Sequence, residues 1–230
     1  MAGAYDTSLD TVIVIPYYNE QDRIGEVIAG LKAYPVNIII VDDGSASPLK
    51  MGIPCVTVIR HKVNLGQGAA IQTGFEYALR KGAKYLVTFD ADGQHDPGDL
   101  PLLINNIKIE GYDVVLGSRF LSTEQEGIPA GRRRLLKFSR YVNYLFTGLF
   151  LSDAHNGLRA FSGEAASAVK LTENRMAHAT EILSIIKKNK LRFREVPVSV
   201  RYTQYSKMKG QSSLNSIRIF FDLVLHKLFE

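Results

Sequence analysis

Phe89-Asp90-Ala91-Asp92-Gly93-Gln94-His95-Asp96-Pro97 ends an apolar strand and sets two carboxylates one residue apart at its tip. Residues two apart in an extended or tightly turned backbone point the same way, so Asp90 and Asp92 can reach one point in space. Carboxylate oxygens are what a hard divalent cation takes as ligands, and a cation held there can neutralise a diphosphate. The competing reading is a polar strand-to-helix connection, because Asp, Gly and Pro are also common turn residues. The neighbouring segments have to decide.

Towards the N-terminus, Thr11 to Ile15 is a β-branched run that predicts a buried strand, ending at Pro16-Tyr17-Tyr18-Asn19-Glu20. Asn19 is the expected N-cap of a helix through about Leu31, with Glu20 and Asp22 where the helix dipole favours acids. Ile24, Val27, Ile28 and Leu31 recur at helical spacing. Val36 to Val41 predicts a second strand, stopped by Asp42-Asp43-Gly44-Ser45; Val56 to Ile59 predicts a third, Gly66 to Lys81 a helix, and Tyr85 to Phe89 a fourth strand. Beyond the opening stretch come a helix at about Leu100 to Ile109 and a strand, Asp113 to Leu116, ending in Gly117-Ser118-Arg119. Ser122 to Gly131 is polar and glycine-bearing, a predicted mobile loop. The region beyond Gly131 looks like an appended subdomain.

Strands alternating with helices predict an α/β fold, a mostly parallel sheet with right-handed crossovers and helices on both faces. Ligands of such sheets bind outside the carboxyl ends of the strands. The loops Pro16 to Glu20, Asp42 to Ser45 and Asp90 to Gln94 therefore share one edge, and three weak motifs become one constellation. Arg119 ends a fifth strand on that edge, where its guanidinium can meet a phosphate.

Composition narrows the partners. The 230 residues suffice for one α/β domain with a substantial core, and the net charge of +5 favours an anionic partner. Cations crowd at Arg132, Arg133, Arg134, Lys137 and Arg140, and again at Lys187, Lys188, Lys190, Arg192 and Arg194. Cys55 is the sole cysteine, which excludes an intrachain disulfide, and its apolar neighbours predict a buried small residue. Met1 to Asp10 shows no secretory pattern, and no window holds the roughly eighteen apolar residues of a membrane span. A cytosolic chain, at most peripheral to the membrane, is expected. Leu135 to Phe146 and Leu214 to Leu228 are amphipathic with flanking cations, a pattern suited to an anionic bilayer surface or to packing on the core or a partner.

A nucleotide-diphosphate site uses these parts together. Base and ribose would sit against the first two loops, with Asp43 accepting hydrogen bonds; a cation at Asp90 and Asp92 would stabilise the diphosphate as a leaving group, aided by Arg119. The transferred group is most simply a sugar.

The segments Val14 to Glu20, Val41 to Ser45, Asn64 to Ala70, Asp90 to His95, Gly117-Ser118-Arg119 and Asn156-Gly157-Leu158-Arg159-Ala160-Phe161 together resemble the family 2 glycosyltransferases of GT-A fold. Within that family they are similar to the dolichyl-phosphate mannose synthases and bacterial polyprenyl-phosphate glycosyltransferases. The resemblance covers nearly the whole chain. It implies one GT-A domain over 1–230, with a nucleotide-sugar half to about residue 121 and an acceptor-binding, membrane-facing half from about 122. It implies that Pro16, Tyr18, Glu20, Val41 and Asp43 contact the nucleoside of a UDP- or GDP-sugar. Asp90, Ala91, Asp92 and Gln94 would meet the diphosphate, with Asp90, Asp92 and Gln94 holding Mg²⁺ or Mn²⁺. Arg119 would face the phosphates or the acceptor, and Arg159 belongs to the implied substrate-binding set. Arg132 or Arg133 and Lys207 or Lys209 are the candidates for the phosphate of a polyprenyl-phosphate acceptor.

The acceptor decides whether a base is needed. A lipid phosphate is already anionic, whereas a saccharide hydroxyl needs a base near the incoming oxygen, for which the resemblance offers Glu181. Either single displacement inverts the anomeric centre. Membrane contact would come from the C-terminal amphipathic helix, from the basic cluster, from a separate small membrane partner, or not at all.

Three rivals fit less well. Gly66-Gln67-Gly68 suggests a dinucleotide fingerprint, yet its third glycine position is Ile71 and it follows the third strand. Gly93 falls at the fourth position of an EF-hand-like loop, where the sixth is required. A basic nucleic-acid-binding domain would need a recognisable module, which is missing.

Overall fold

The β-branched N-terminal run forms β1 (Thr11–Tyr17), and alternating strands and helices follow: α1 (Gln21–Leu31), β2 (Asn37–Asp42), β3 (Val56–Arg60), α2 (Gln67–Arg80) and β4 (Tyr85–Thr88). A 3₁₀ turn at Pro97–Asp99 leads into α3 (Leu100–Lys108) and β5 (Val114–Ser118). The second half supplies α4 (Ala130–Thr147), β6 (Arg159–Ser162), α5 (Gly163–Ala168), α6 (His178–Lys188) and β7 (Phe193–Pro197). This computed structural model describes residues 10–121, 130–173 and 177–201, without the side chains of 130, 132, 133, 135–137 and 142.

All seven strands join one sheet in the order β3-β2-β1-β4-β6-β5-β7. β1 pairs parallel with β2 and β4, β2 with β3, and β5 with β7. β6 alone runs antiparallel, between β4 (Leu86↔Phe161) and β5 (Val115↔Ala160). The second half is thus woven into the sheet, where an appended subdomain was expected.

Side chains alternate between the two faces, as a pleated backbone requires. On one face Val12, Val14, Ile39, Val41 and Phe161 are buried with Ile71, Phe75 and Ala78 of α2 and Ile182, Leu183 and Ile186 of α6. On the other, Ile13, Ile15, Ile38, Ile40 and Val87 meet Ile24, Val27, Ile28 and Leu31 of α1 and Leu100, Leu103 and Ile107 of α3. Each such side chain contributes roughly 1.5–3 kcal/mol by leaving water. Gly74 lets α2 approach β1 closely, since a Cβ there would lie 2.3 Å from Val14 Cγ1.

Two local expectations change. Cys55 is only half-buried, in a turn with φ 62°. Asn19 does not cap α1; its φ of 54° turns its side chain towards β2 instead. Arg192 and Arg194 stack over Tyr112, 5.4 and 5.7 Å from its ring centre, before and at the start of β7. Because β7 is parallel to β5, that places them at the sheet edge opposite the strand-end loops. The C-terminal amphipathic segment and most of the Ser122 to Gly131 loop lie outside the described residues.

Candidate active site

β2, β1 and β4 are adjacent and parallel, so their three carboxyl-end loops lie side by side. Asn19 ties the first two together: its N–H donates to Ser45 Oγ at 2.9 Å and its Oδ1 accepts from Ala46 N at 3.0 Å. Asp42 shapes the second loop by accepting from Ser45 N, Leu49 N and the Arg60 guanidinium. Asp43 is 3 % exposed, and its carboxylate accepts from Leu65 N at 2.9 Å and Gly66 N at 2.7 Å and pairs with His61 Nδ1 at 2.7 Å. It therefore fixes the entry to α2 as well as facing the β2 loop. Tyr18, 47 % exposed, is the accessible aromatic of the edge, with Pro16 and Glu20 half-buried beside it. The Val41 side chain is wholly buried in the core, which leaves a nucleoside only backbone at that position.

The opening stretch leaves β4 through Phe89, fully buried, and turns at Gly93, whose φ is 73°. Asp90 and Asp92 are both half-buried and Ala91 between them is buried. Asp90 Oδ1 accepts from Gln67 Nε2 at 3.2 Å, and its Oδ2 lies 3.0 Å from His95 Nε2. Burial opposes its ionisation, but the His95 hydrogen bond and the charges of His95, His178 and Arg159 outweigh it and hold its pKa below the ordinary value. Asp92 behaves oppositely: burial first, then the Asp90 charge, push its pKa up. Asp92 Oδ1 accepts from Gln94 N at 3.0 Å, and its Oδ2 is 2.5 Å from the Gln94 side-chain amide. The amide orientation follows from that contact: only its NH₂ can face the Asp92 oxygen at 2.5 Å, which leaves the Gln94 amide oxygen pointing away from Asp92.

The far side of this loop is strapped down. His95 bridges to Val200, Arg201 N donates to Gln94 O at 2.8 Å, the Arg201 guanidinium pairs with Asp96, and Ser199 N donates to Asp99 at 2.7 Å. From the loop before β6, Gly157 presses on Asp90: a Cβ there would lie 2.3 Å from Asp90 Oδ2.

Arg119 stands at the end of β5, 8 % exposed, with its N–H and Nε donating to Asp153 Oδ2 at 3.1 and 2.6 Å. Arg159, of the implied substrate-binding set, is held inside the fold. Its guanidinium, 4 % exposed, donates to the carbonyls of Asn156, Ala154 and Ala179 at 2.9, 3.2 and 3.3 Å, tying β6 to α6. Glu181 is likewise occupied: it accepts from Thr172 N and Oγ1 at 2.9 and 2.6 Å and from Glu173 N at 3.0 Å. Arg132 and Arg133 fall in the first turns of α4, their side chains outside those described. Lys207 and Lys209 lie outside the described residues. Sequence reasoning passed over Gln67 and His95 as partners of Asp90, although both stand inside segments it singled out; nothing in the sequence flagged Asp153 or Glu195.

The donor set fits a divalent cation. Among the described residues no three His, Cys, Asp or Glu side chains converge to hold a metal. Mg²⁺-type sites commonly take one or two carboxylates and complete their shell with substrate phosphates and water. Asp90 and Asp92 supply two such carboxylates, and burial first and then the Asp90 charge disfavour the ionised form of Asp92 in the absence of a cation.

The mostly parallel sheet flanked by helices, with a paired-carboxylate loop at its carboxyl edge, is of the GT-A class. The model of glycosyl transferase family 2 matches residues 12–169, and the chain belongs to that family. An uncharacterized protein of Methanocaldococcus jannaschii is 37% identical, the alignment covering 94% of this chain and 92% of that one. The UDP-N-acetylglucosamine–dolichyl-phosphate N-acetylglucosaminyltransferase of Methanococcus voltae is 33% identical over 94% of this chain and 95% of its own. Glucosyl-3-phosphoglycerate synthase of Mycobacterium tuberculosis, solved with Mn²⁺ and UDP-glucose, superposes with a TM-score of 0.63 at 16% identity, over 91% of this chain and 80% of that one, which speaks to the fold. Among the described residues no helix is long and apolar enough to cross a membrane.

Proposed function

We propose that the enzyme transfers a sugar, with inversion, from a UDP- or GDP-sugar to a polyprenyl phosphate, using Mg²⁺ or Mn²⁺. The observation that carries the choice of acceptor is the occupation of Glu181. A hydroxyl acceptor needs a base, and both oxygens of this carboxylate already accept hydrogen bonds from the Thr172–Glu173 turn. A phosphate monoester needs none. The named relative of Methanococcus voltae, which acts on dolichyl phosphate, supports the same acceptor class.

In this reading Tyr18 and the Asn19–Ser45 pair border the nucleoside. Asp92, Gln94 and the free lone pairs of Asp90 hold the cation, which supplies Lewis-acid stabilisation of the diphosphate leaving group. His95 and Gln67 keep Asp90 oriented and ionised. Arg119, aimed by Asp153, adds positive charge where the diphosphate or the incoming phosphate gathers negative charge.

The same reading sets the protein on the cytosolic face of a membrane. Phe138, Tyr141 and Leu145 form an exposed stripe on α4, and Tyr144 and Phe150 extend it. Arg140 stacks on Phe150 with its guanidinium carbon 4.9 Å from the ring centre. The 18 residues of α4 include five cations and no acid, which suits an anionic lipid surface. The deciding experiment offers UDP-, GDP- and dTDP-sugars with polyprenyl phosphate and with simple saccharides, scoring product mass and anomeric configuration. Transfer to saccharides alone would overturn the acceptor assignment.

A further inference from the structure

Glu195 sits on β7 opposite Leu116 of β5, removed from the carboxylate loop, and it ends a chain of hydrogen bonds that brackets Arg119. Its carboxylate accepts from Ser152 N at 2.9 Å on each oxygen, from Ser152 Oγ at 2.6 Å and from Asp153 N at 3.1 Å. A carboxylate offers only acceptors and a serine hydroxyl has one proton. Ser152 spends that proton on Glu195, so in its 2.5 Å contact with Ser118 Oγ it must accept. Ser118 then donates to Ser152 and receives Phe120 N at 3.2 Å. One direction runs through the series: Phe120 N–H to Ser118, Ser118 to Ser152, Ser152 to Glu195. Ser118 and Phe120 flank Arg119. Asp153, whose own N–H Glu195 holds, receives both the N–H and the Nε of Arg119.

We propose that Glu195 is the positioning residue for Arg119, acting through the Ser152–Asp153 turn; this rests on the reading that Arg119 meets phosphate. Glu195→Gln sets an NH₂ group against Ser152 N, in place of the second oxygen that this N–H reaches, and removes the charge at the end of the series, leaving one neutral oxygen to accept from Ser152 N, Ser152 Oγ and Asp153 N. A guanidinium displaced by about 1 Å can lose on the order of 10²-fold in rate.

The test is a double-mutant cycle in the full-length protein, using polyprenyl phosphate as acceptor and measuring kcat and KM for each substrate, Mn²⁺–UDP affinity and thermal unfolding. Glu195→Gln is expected to lower kcat/KM for the acceptor roughly 10- to 100-fold, with Mn²⁺–UDP affinity unchanged. In an Arg119→Ala background it should cost nothing further, because the group it positions is gone. Independent, additive losses would overturn the proposal while leaving the role of Arg119 intact. Full transfer by Arg119→Ala would overturn both. If Glu195→Gln fails to fold, Ser152→Ala removes the middle hydroxyl yet leaves Glu195 on two backbone amides, and it must show the same non-additivity.

Discussion

Gly157→Ala separates the site from the fold more cleanly than any substitution of a charged residue. The new Cβ would lie 2.3 Å from Asp90 Oδ2 and 2.8 Å from its Cγ and Oδ1, so the carboxylate must retreat by roughly 1 Å to reach van der Waals contact. The Gly157 backbone has little room to yield, because Thr88 Oγ1 donates to its carbonyl at 2.7 Å and Gly117 N donates to the next carbonyl, Leu158 O, at 2.9 Å. Asp90 moves instead, and its contacts with His95 (3.0 Å) and Gln67 (3.2 Å) stretch. Losing those two costs about 1–3 kcal/mol of stability, while a displacement of that size at a reacting centre costs about 10²-fold in kcat/KM, or about 2.7 kcal/mol on the barrier. The assay pairs sugar transfer from a labelled nucleotide sugar with chemical denaturation of the same variant. Gly25→Ala is the control: it lies within α1 with nothing within 4 Å of the new Cβ, and should stabilise by about 0.5–1 kcal/mol at full activity. Wild-type turnover by Gly157→Ala would refute the placement of Asp90 in the working site.

Asp92→Asn should abolish transfer at saturating metal with the fold retained. Because burial and Asp90 raise the pKa of Asp92, protons should displace Mn²⁺ from the parent protein at a higher pH than an ordinary aspartate would give, readable by titrating Mn²⁺ affinity. Glu181→Gln should lower stability by about 0.5–1.5 kcal/mol through the Thr172–Glu173 turn and hold kcat within about tenfold; a loss of ~10²–10⁴-fold would mark a true base. His155 has its pKa lowered from 6.5 to about 4, by burial first and by the charges of Arg159 and Arg119, with Asp153 opposing. The folded state therefore resists a proton that the unfolded chain accepts, and stability should fall as pH drops from 6.5 towards 4; His155→Gln should flatten that decline in denaturation midpoints. Replacing Phe138, Tyr141 and Leu145 with serine should weaken binding to anionic liposomes, and binding should also weaken with salt; undiminished binding would move the membrane contact off α4.

The donor side of the site was legible because its signals are local. β1, β2 and β4 are unbroken apolar runs, each stopped by polar residues, and parallel pairing follows from the helices between them. What those polar residues do was less legible, since a sequence gives residue types and not the amides they meet. Asp43 holds the Leu65–Gly66 turn and Glu181 the Thr172–Glu173 turn, and Arg159 is spent on three carbonyls. Each partner stands nearby in space but 8 to 23 residues away, or is a backbone group that any residue could supply. β6 and β7 escaped notice for a related reason: four or five residues are too few for a period of two to declare itself, and β7 carries charges at Arg194 and Glu195.

The reversal of β6 explains where the second half meets the site. Ligands of parallel sheets gather at the carboxyl ends of the strands, so the loop after each strand is the one that matters, and this holds for β1, β2, β4 and β5. An antiparallel strand brings its amino end to that same edge, so for β6 the relevant loop is the one before it. Ser152, Asp153, Asn156 and Gly157 all precede Arg159, and they run between the β4 end, where Gly157 meets Asp90, and the β5 end, where Asp153 meets Arg119. One reversed four-residue strand thus places a single loop in contact with both the Asp90 carboxylate and the Arg119 guanidinium. Gly157→Ala should therefore act through Asp90 and Ser152→Ala through Arg119, although the two residues stand five positions apart in one loop.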